Sequence, residues 1–227
     1  MDTNALLTGL AGVLAAAAPV LFAVIGETIT ERAGIINLSM NGTVLLAAVG
    51  SFAVAYETDS LVLGLLMGAL IGALVALIVA FSSITLRQSQ VAVGFVLALA
   101  CRDLAYFLGV PYMNQPGPRL PGWAIPGLRD VPFLGQLFFR QDILTYLSYV
   151  LIFLAWLWIF RTRPGLMLRG IGERPAAAFV RGANVDRLRY LYTVLGGAII
   201  GIAGPAYSLN IKGGWMGTQS GLSLIHI

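Results

Sequence analysis

The chain has 227 residues, of which 58% are hydrophobic and 11% charged, against about 25% charged in an ordinary soluble domain. A globule of this size cannot hide so much apolar surface, so a soluble domain is excluded and lipid is the natural solvent. The formal charge of +4 does not indicate nucleic acid, because the basic residues lie between apolar spans, where membrane topology accounts for them.

The opening residues, Met1 to Asn4, place no base before the first apolar run, which does not read as a cleavable signal peptide. A membrane helix needs about 20 mostly apolar residues. Six stretches qualify: residues 5–25, 35–56, 61–86, 91–110, 143–160 and 190–209. The expected fold is therefore an all-α polytopic bundle of six transmembrane spans, one membrane domain over residues 1–222. Pro19 and Gly204-Pro205 are expected to kink or end their helices. The second stretch opens on the polar run Asn37-Leu38-Ser39-Met40-Asn41-Gly42, which suggests a broken or re-entrant start.

In the third stretch Gly64, Gly68, Gly72, Ala76 and Ala80 recur every fourth residue. That spacing makes one small-residue ridge, along which a second helix can approach closely. Gly197 and Gly201 repeat the device in the sixth. In the fourth stretch Arg102 and Asp103 are adjacent charges on a helix. They point about 100° apart, so they are not expected to neutralise each other simply. Charges within the membrane usually face a cavity or the bundle interior, although Arg102 could also snorkel to the nearer surface. Cys101 stands alone, which excludes a disulfide within the chain.

Residues 111–142 form the one long connection and hold Pro111, Pro116, Pro118, Pro121, Pro126 and Pro132. An irregular cap is expected there, with a short helix near residues 133–139. The connection over residues 161–189 carries Arg161, Arg163, Arg169, Arg174, Arg181, Arg187 and Arg189, whereas Glu57-Thr58-Asp59 is acidic. Lysine and arginine concentrate on the cytoplasmic side. Placing 161–189 inside and alternating along the chain puts Arg32 and Arg87 inside as well. Arg119, Arg129, Arg140, Lys212 and the N-terminus then fall outside.

Within that basic connection, residues 173–182 read as a short helix. Pro175 suits the first helical position, Glu173 the positive helix start, and Ala176, Ala177 and Ala178 are strong helix formers. Gly182 is the stop, and Asn184 can cap the helix that follows. The result is a small apolar face (Ala177, Ala178, Phe179, Val180) ringed by arginines. It suits either a grip for a soluble motor or a helix lying on anionic lipid.

Chemistry of other kinds is missing. No glycine-lysine phosphate loop occurs, and His226 is the only histidine, so there is no ATPase site, His-based triad or paired-histidine metal site. The chain is not expected to be an enzyme.

The stretch "GLMLRGIGERPAAAFVRGANVDRLRY" resembles the cytoplasmic segment of permease subunits of bacterial ABC importers for nucleosides and simple sugars, in the branched-chain amino acid/ribose-type permease superfamily. The matching positions are Gly165, Leu166, Arg169, Gly172, Glu173, Pro175, Ala177, Gly182, Arg187 and Arg189, with Ala176 where many relatives have glutamate. "GETITERAGIINLSMNG" and "IPGLRDVPFLGQLFFRQDILTY" are similar to two further family stretches in the same order. Asn41 stands where relatives often have glutamate, and Arg102-Asp103 where they are less charged.

The resemblance implies a permease half in the bacterial inner membrane. Its implied partners are a second homologous permease chain, a cytoplasmic ABC ATPase that carries ATP and magnesium, and an external substrate-binding protein or lipoprotein. Gly172, Glu173, Pro175, Ala176, Ala177, Ala178 and Gly182 would couple to the ATPase. Asn37, Ser39, Asn41, Arg102 and Asp103 are the candidates for the substrate path, where amide, hydroxyl and charged groups could pair with ribose hydroxyls or base edges. An ion-coupled carrier or channel is the rival reading. The resemblance stops after Gly221, so the chain is expected to be truncated, with residues 223–227 a foreign or cut tail.

Overall fold

The computed structural model describes residues 3–123, 127 and 134–215. Helices follow one another as α1 (Thr3–Arg32), α2 (Met40–Thr58), α3 (Leu61–Ala80), α4 (Gln90–Gly109), α5 (Leu134–Phe138), α6 (Ile143–Arg161), α7 (Arg163–Glu173), α8 (Pro175–Val180) and α9 (Val185–Pro205). The backbone of α3 continues as a π-helix over Phe81–Thr85, and that of α9 over Ala206–Lys212. Among the described residues the only β pairings are two isolated bridges, Met113 with Trp215 and Gly122 with Asp142. Local chemistry sets the helix starts. Ser60, Ser89, Asp142, Thr162 and Asn184 each accept a first-turn N–H with the side chain, which satisfies donors that the helix leaves orphaned.

Five helical stretches are long and apolar enough to cross a membrane: Leu6–Arg32, Leu61–Thr85, Gln90–Tyr112, Ile143–Arg161 and Val185–Ile211. Six were expected. The remaining segment forms α2, of 19 residues, with Asn41 in its first turn and Glu57 in its last. Those polar ends shorten its apolar stretch, and much of its length, from Met40 to Ala55, is buried by neighbouring helices.

Helix α1 also departs from expectation. It does not end near residue 25 but runs through Gly26 to Arg32, carrying Glu27 and Thr30 within it. Gly26 is a place of close approach and not a stop, since a Cβ there would lie 2.9 Å from the Ile200 amide nitrogen of α9. Pro19 lies inside α1 without ending it, as membrane helices tolerate. Pro205 does end the α geometry of α9.

Helix α9 is the hub and packs against α3, α1 and α2. It presents a glycine at each crossing. A Cβ on Gly196 would lie 2.6 Å from Gly26 O of α1, one on Gly197 2.6 Å from Gly72 O of α3, and one on Gly204 2.6 Å from the Ala47 carbonyl carbon of α2. On α3 a Cβ at Gly68 would lie 2.9 Å from Gly201 O, whereas one at Gly64 would meet Ser51 O of α2 at 2.8 Å. The ridge of α3 thus serves two neighbours. Such contacts replace the hydrophobic drive that lipid cannot supply between helices.

The connections gather at two ends. At one, Thr85 and Tyr190 share a hydroxyl hydrogen bond, and the Gln90 amide oxygen accepts from Ile36 N at 3.0 Å; α7 and α8 lie at this end. At the other, Tyr112 donates to Glu57 at 3.3 Å, Asn114 N to Trp215 O at 3.0 Å and Leu120 N to Leu209 O at 3.2 Å. The short helix expected near residues 133–139 is α5. Pro126, Arg129, Pro132, His226 and the tail 223–227 fall outside the described residues, as does the Lys212 side chain.

Candidate functional site

The basic connection folds as two helices where one was expected. The Thr162 hydroxyl accepts from Gly165 N at 3.2 Å and starts α7, which buries Gly165, Leu168 and Ile171. Glu173 therefore closes α7 and does not open α8. Its carboxylate lies 3.8 Å from the Arg32 guanidinium, with both side chains largely exposed. Helix α8 has six residues with Pro175 at its first position, and Gly182 follows it in the left-handed region at φ 85°.

The apolar face expected of α8 divides in two. Ala178 is buried, while Ala176 and Ala177 are exposed, as are Phe179 at 70% and Val180 at 86%. An open groove on one side of α8 is lined by Leu166, Met167, Gly170, Ala177 and Ala178, with Arg163, Arg174 and Arg181 around it. A second groove lies between α8 and the start of α9, where Pro175, Ala176 and Phe179 face Val185 and Asp186. Exposed apolar surface rimmed by charge is the usual mark of an interaction site.

Gly172 lies against the end of α1, where a Cβ would come 3.3 Å from Gly34 N. Beside it the half-buried Arg189 donates from Nε to Ala33 O at 3.1 Å and from Nη2 to Ile171 O at 3.2 Å.

A buried polar network occupies the break between α1 and α2. Glu27, only 8% exposed, accepts from Asn37 N at 2.9 Å and from the Thr30 hydroxyl at 3.1 Å. The Asn37 amide oxygen accepts from Ser39 N at 3.2 Å and from the Ser39 hydroxyl at 2.6 Å. Ser39 and Thr43 hydroxyls lie 3.2 Å apart. Among the described residues the Asn37 Nδ2 is buried with no partner, a costly condition unless something else occupies it. Asn41, on the next turn, is partly buried.

Of the five sequence candidates for a polar path, the structure joins Asn37 and Ser39 directly. Arg102 and Asp103 stand apart on the exposed side of α4, and Arg102 Nε donates to Asp103 Oδ1 at 3.1 Å. The expectation that they could not neutralise each other is corrected: the long arginine side chain spans the divergence at Cβ and reaches the neighbouring carboxylate. Sequence reasoning missed Glu27, Thr30 and Thr43. A carboxylate at the edge of an apolar run was the available signal for Glu27. Among the described residues no cluster of His, Cys, Asp or Glu could hold a metal ion.

The model for the family described as branched-chain amino acid transport system, permease component, matches residues 9–227. A provisionally named glucose ABC transporter permease protein of Haloferax volcanii is 33% identical over 205 residues, covering 88% of this chain and 62% of that protein. A nucleoside ABC transporter permease protein of Lactococcus lactis subsp. cremoris is 33% identical over 92% of this chain and 70% of its own length. A guanosine ABC transporter permease protein of Bacillus subtilis is 31% identical over 86% of this chain and 65% of its own length. The chain thus spans roughly two thirds of each of these relatives. No solved structure matches it.

Proposed function

Because the chain belongs to the branched-chain amino acid transport system permease family, we propose that it is a permease subunit of an ABC importer, moving nucleosides or simple sugars across the bacterial inner membrane. The observation that carries this reading is the α7–α8 surface. Ala176, Ala177, Phe179 and Val180 stand exposed between two grooves and a rim of arginines. A soluble ATPase could seat itself on such a knob, and closure of its ATP-bound halves would push α8 and tip the spans behind it. The chain contributes no ATPase site. ATP and magnesium belong to that partner, a second permease chain completes the path, and an external binding protein delivers the cargo.

The nucleoside or sugar assignment is supported by what the three relatives are named for. Asn37, Ser39 and Asn41 offer the amide and hydroxyl groups such cargo needs, and the Asn37 Nδ2, without a partner among the described residues, is a donor that a ribose or sugar oxygen could satisfy. Arg102 and Asp103, exposed and paired with each other, are weaker members of that path. The orientation with residues 161–189 inside and the N-terminus outside is supported by the gathering of Arg32 and α7–α8 at one end. Helix α2 serves as the sixth span, shielded from lipid by its neighbours. The ion-coupled rival has less support, since all three relatives are named ABC transporter permeases.

The test is reconstitution. The chain, co-expressed with the ABC ATPase of its own gene neighbourhood, should retain that ATPase through purification. In lipid nanodiscs it should show ATP hydrolysis stimulated by loaded binding protein. Uptake that persists without any ATPase and follows an ion gradient would overturn the reading.

A further inference from the structure

Arg189 supplies a hydrogen bond that Pro175 cannot. In a continuing helix the Ile171 carbonyl would accept from the N–H four residues on, and that residue is Pro175, which has none. The Arg189 Nη2 donates there instead, at 3.2 Å. The same guanidinium donates from Nε to Ala33 O, just past the end of α1, at 3.1 Å. One rigid planar fork therefore closes the ends of two helices, where dipoles also favour a cation. Gly34 and Gly172 make the room: a Cβ on Gly34, itself at φ 87°, would lie 3.0 Å from Arg189 Nη2 and 3.4 Å from Gly172 Cα.

The connection does not stop at Ala33. Gln90 Nε2 donates to Gly34 O at 3.4 Å, and its Oε1 accepts from Ile36 N at 3.0 Å. Asn37 N, the next amide, is held by Glu27. An unbroken line of bonds and peptide units thus runs from the α7–α8 junction to the buried polar network.

We propose that Arg189 is the positioning residue that carries movement of the α7–α8 surface to the break between α1 and α2, so that the Asn37–Ser39 network opens when α8 is driven. The inference rests on the permease reading for its driving force. Its structural half, the strap itself, is independent of that reading. A strap of this kind transmits because its fork holds both carbonyls at once; a group that reaches only one of them satisfies a local bond and couples nothing.

Two measurements on the full complex test this. In Arg189→Gln the ATPase should stay bound and hydrolyse ATP within about twofold of normal, while solute moved per ATP falls at least fivefold. Amides 34–37 should exchange with deuterium at least tenfold faster in the full-length chain. Arg189→Lys keeps charge and bulk, so it should fold, yet an ammonium lacks the fork and should remain at least threefold uncoupled. Adding Pro175→Ala to Arg189→Gln places an N–H four residues after Ile171 and should not restore the lost ratio. Restoration by that change would reduce Arg189 to a local filler and overturn the proposal. Full coupling in Arg189→Lys, unchanged exchange at 34–37, or loss of ATPase binding in both Arg189 variants would overturn it as well. A wild-type chain that retains no ATPase would overturn the permease reading and the transmission role with it, while the exchange data would still judge the strap.

Discussion

The Glu27 carboxylate holds the backbone N–H of Asn37 at 2.9 Å across the break between α1 and α2. Ten residues of chain separate them, and both are buried. Glu27→Leu would leave the Asn37 amide without an acceptor, a loss of about 1–3 kcal/mol for a buried group. Glu27→Gln keeps one amide oxygen for that role and should be milder. Thermal unfolding of the purified chain in detergent should rank wild type above Gln and Gln above Leu. An unchanged midpoint for Leu would show that the bond contributes nothing to the break.

Gly68→Leu should disrupt assembly and not cargo choice. Its Cβ alone would sit 2.9 Å from Gly201 O and 2.7 Å from Pro205 Cδ, and α9 also packs against α1 and α2. A loss of about 1–3 kcal/mol is expected from overpacking. Size-exclusion profiles and uptake competition should show fewer intact complexes with the same preference. Intact complexes with altered preference would move Gly68 from the packing seam to the path.

Asn41→Leu should lower uptake and leave assembly intact. An amide that pairs with a substrate hydroxyl contributes about 0.5–1.5 kcal/mol net, which amounts to a several-fold change in apparent affinity. Kinetics of labelled nucleoside uptake report it, and an unchanged KM would reassign Asn41 to the start of α2.

Ala177→Trp should leave the chain folded and inserted, because Ala177 is exposed and lines an open groove with Leu166 and Met167. It should nonetheless abolish ATPase retention or stimulated hydrolysis, since an indole fills the space a partner needs. Replacing Arg181 and Arg187 with glutamine should be milder, as exposed ion pairs contribute only about 0–1 kcal/mol each. A helix resting on anionic lipid predicts the reverse order. Co-purification and ATP turnover of both variants in the same membranes decide between the two.

Single cysteines at Thr58, Gln115 and Arg174, with Cys101 replaced, test the orientation. An impermeant thiol reagent added to intact cells should label the first two and spare the third. Labelling at Arg174 alone would invert the topology.

Much of this was legible in the residues themselves. Lipid as solvent follows from the shortage of charge. Helix starts at Ser60, Asp142 and Asn184 follow from side-chain oxygens placed before apolar runs. The stop after α8 follows from Gly182. These are short-range effects, each decided within a turn or two of chain. Helix α7 was missed because its pattern, with arginines scattered among apolar residues, resembles a solvated connection until a neighbour covers Leu168 and Ile171.

The sequence by itself determined that the chain is a helical membrane protein, where most helices begin, and which helices carry small-residue ridges, because solvation and capping act locally. Only the tertiary structure decided what each ridge meets: Gly64 lies against α2, while Gly68 faces Gly201 of α9. It also decided that Arg102 folds onto Asp103, that Glu27 closes a buried network, and that Arg189 reaches Ala33 across 156 residues of chain. No local spacing encodes such partners. They depend on how whole helices cross, and that is set by backbone approach summed over every contact in the bundle.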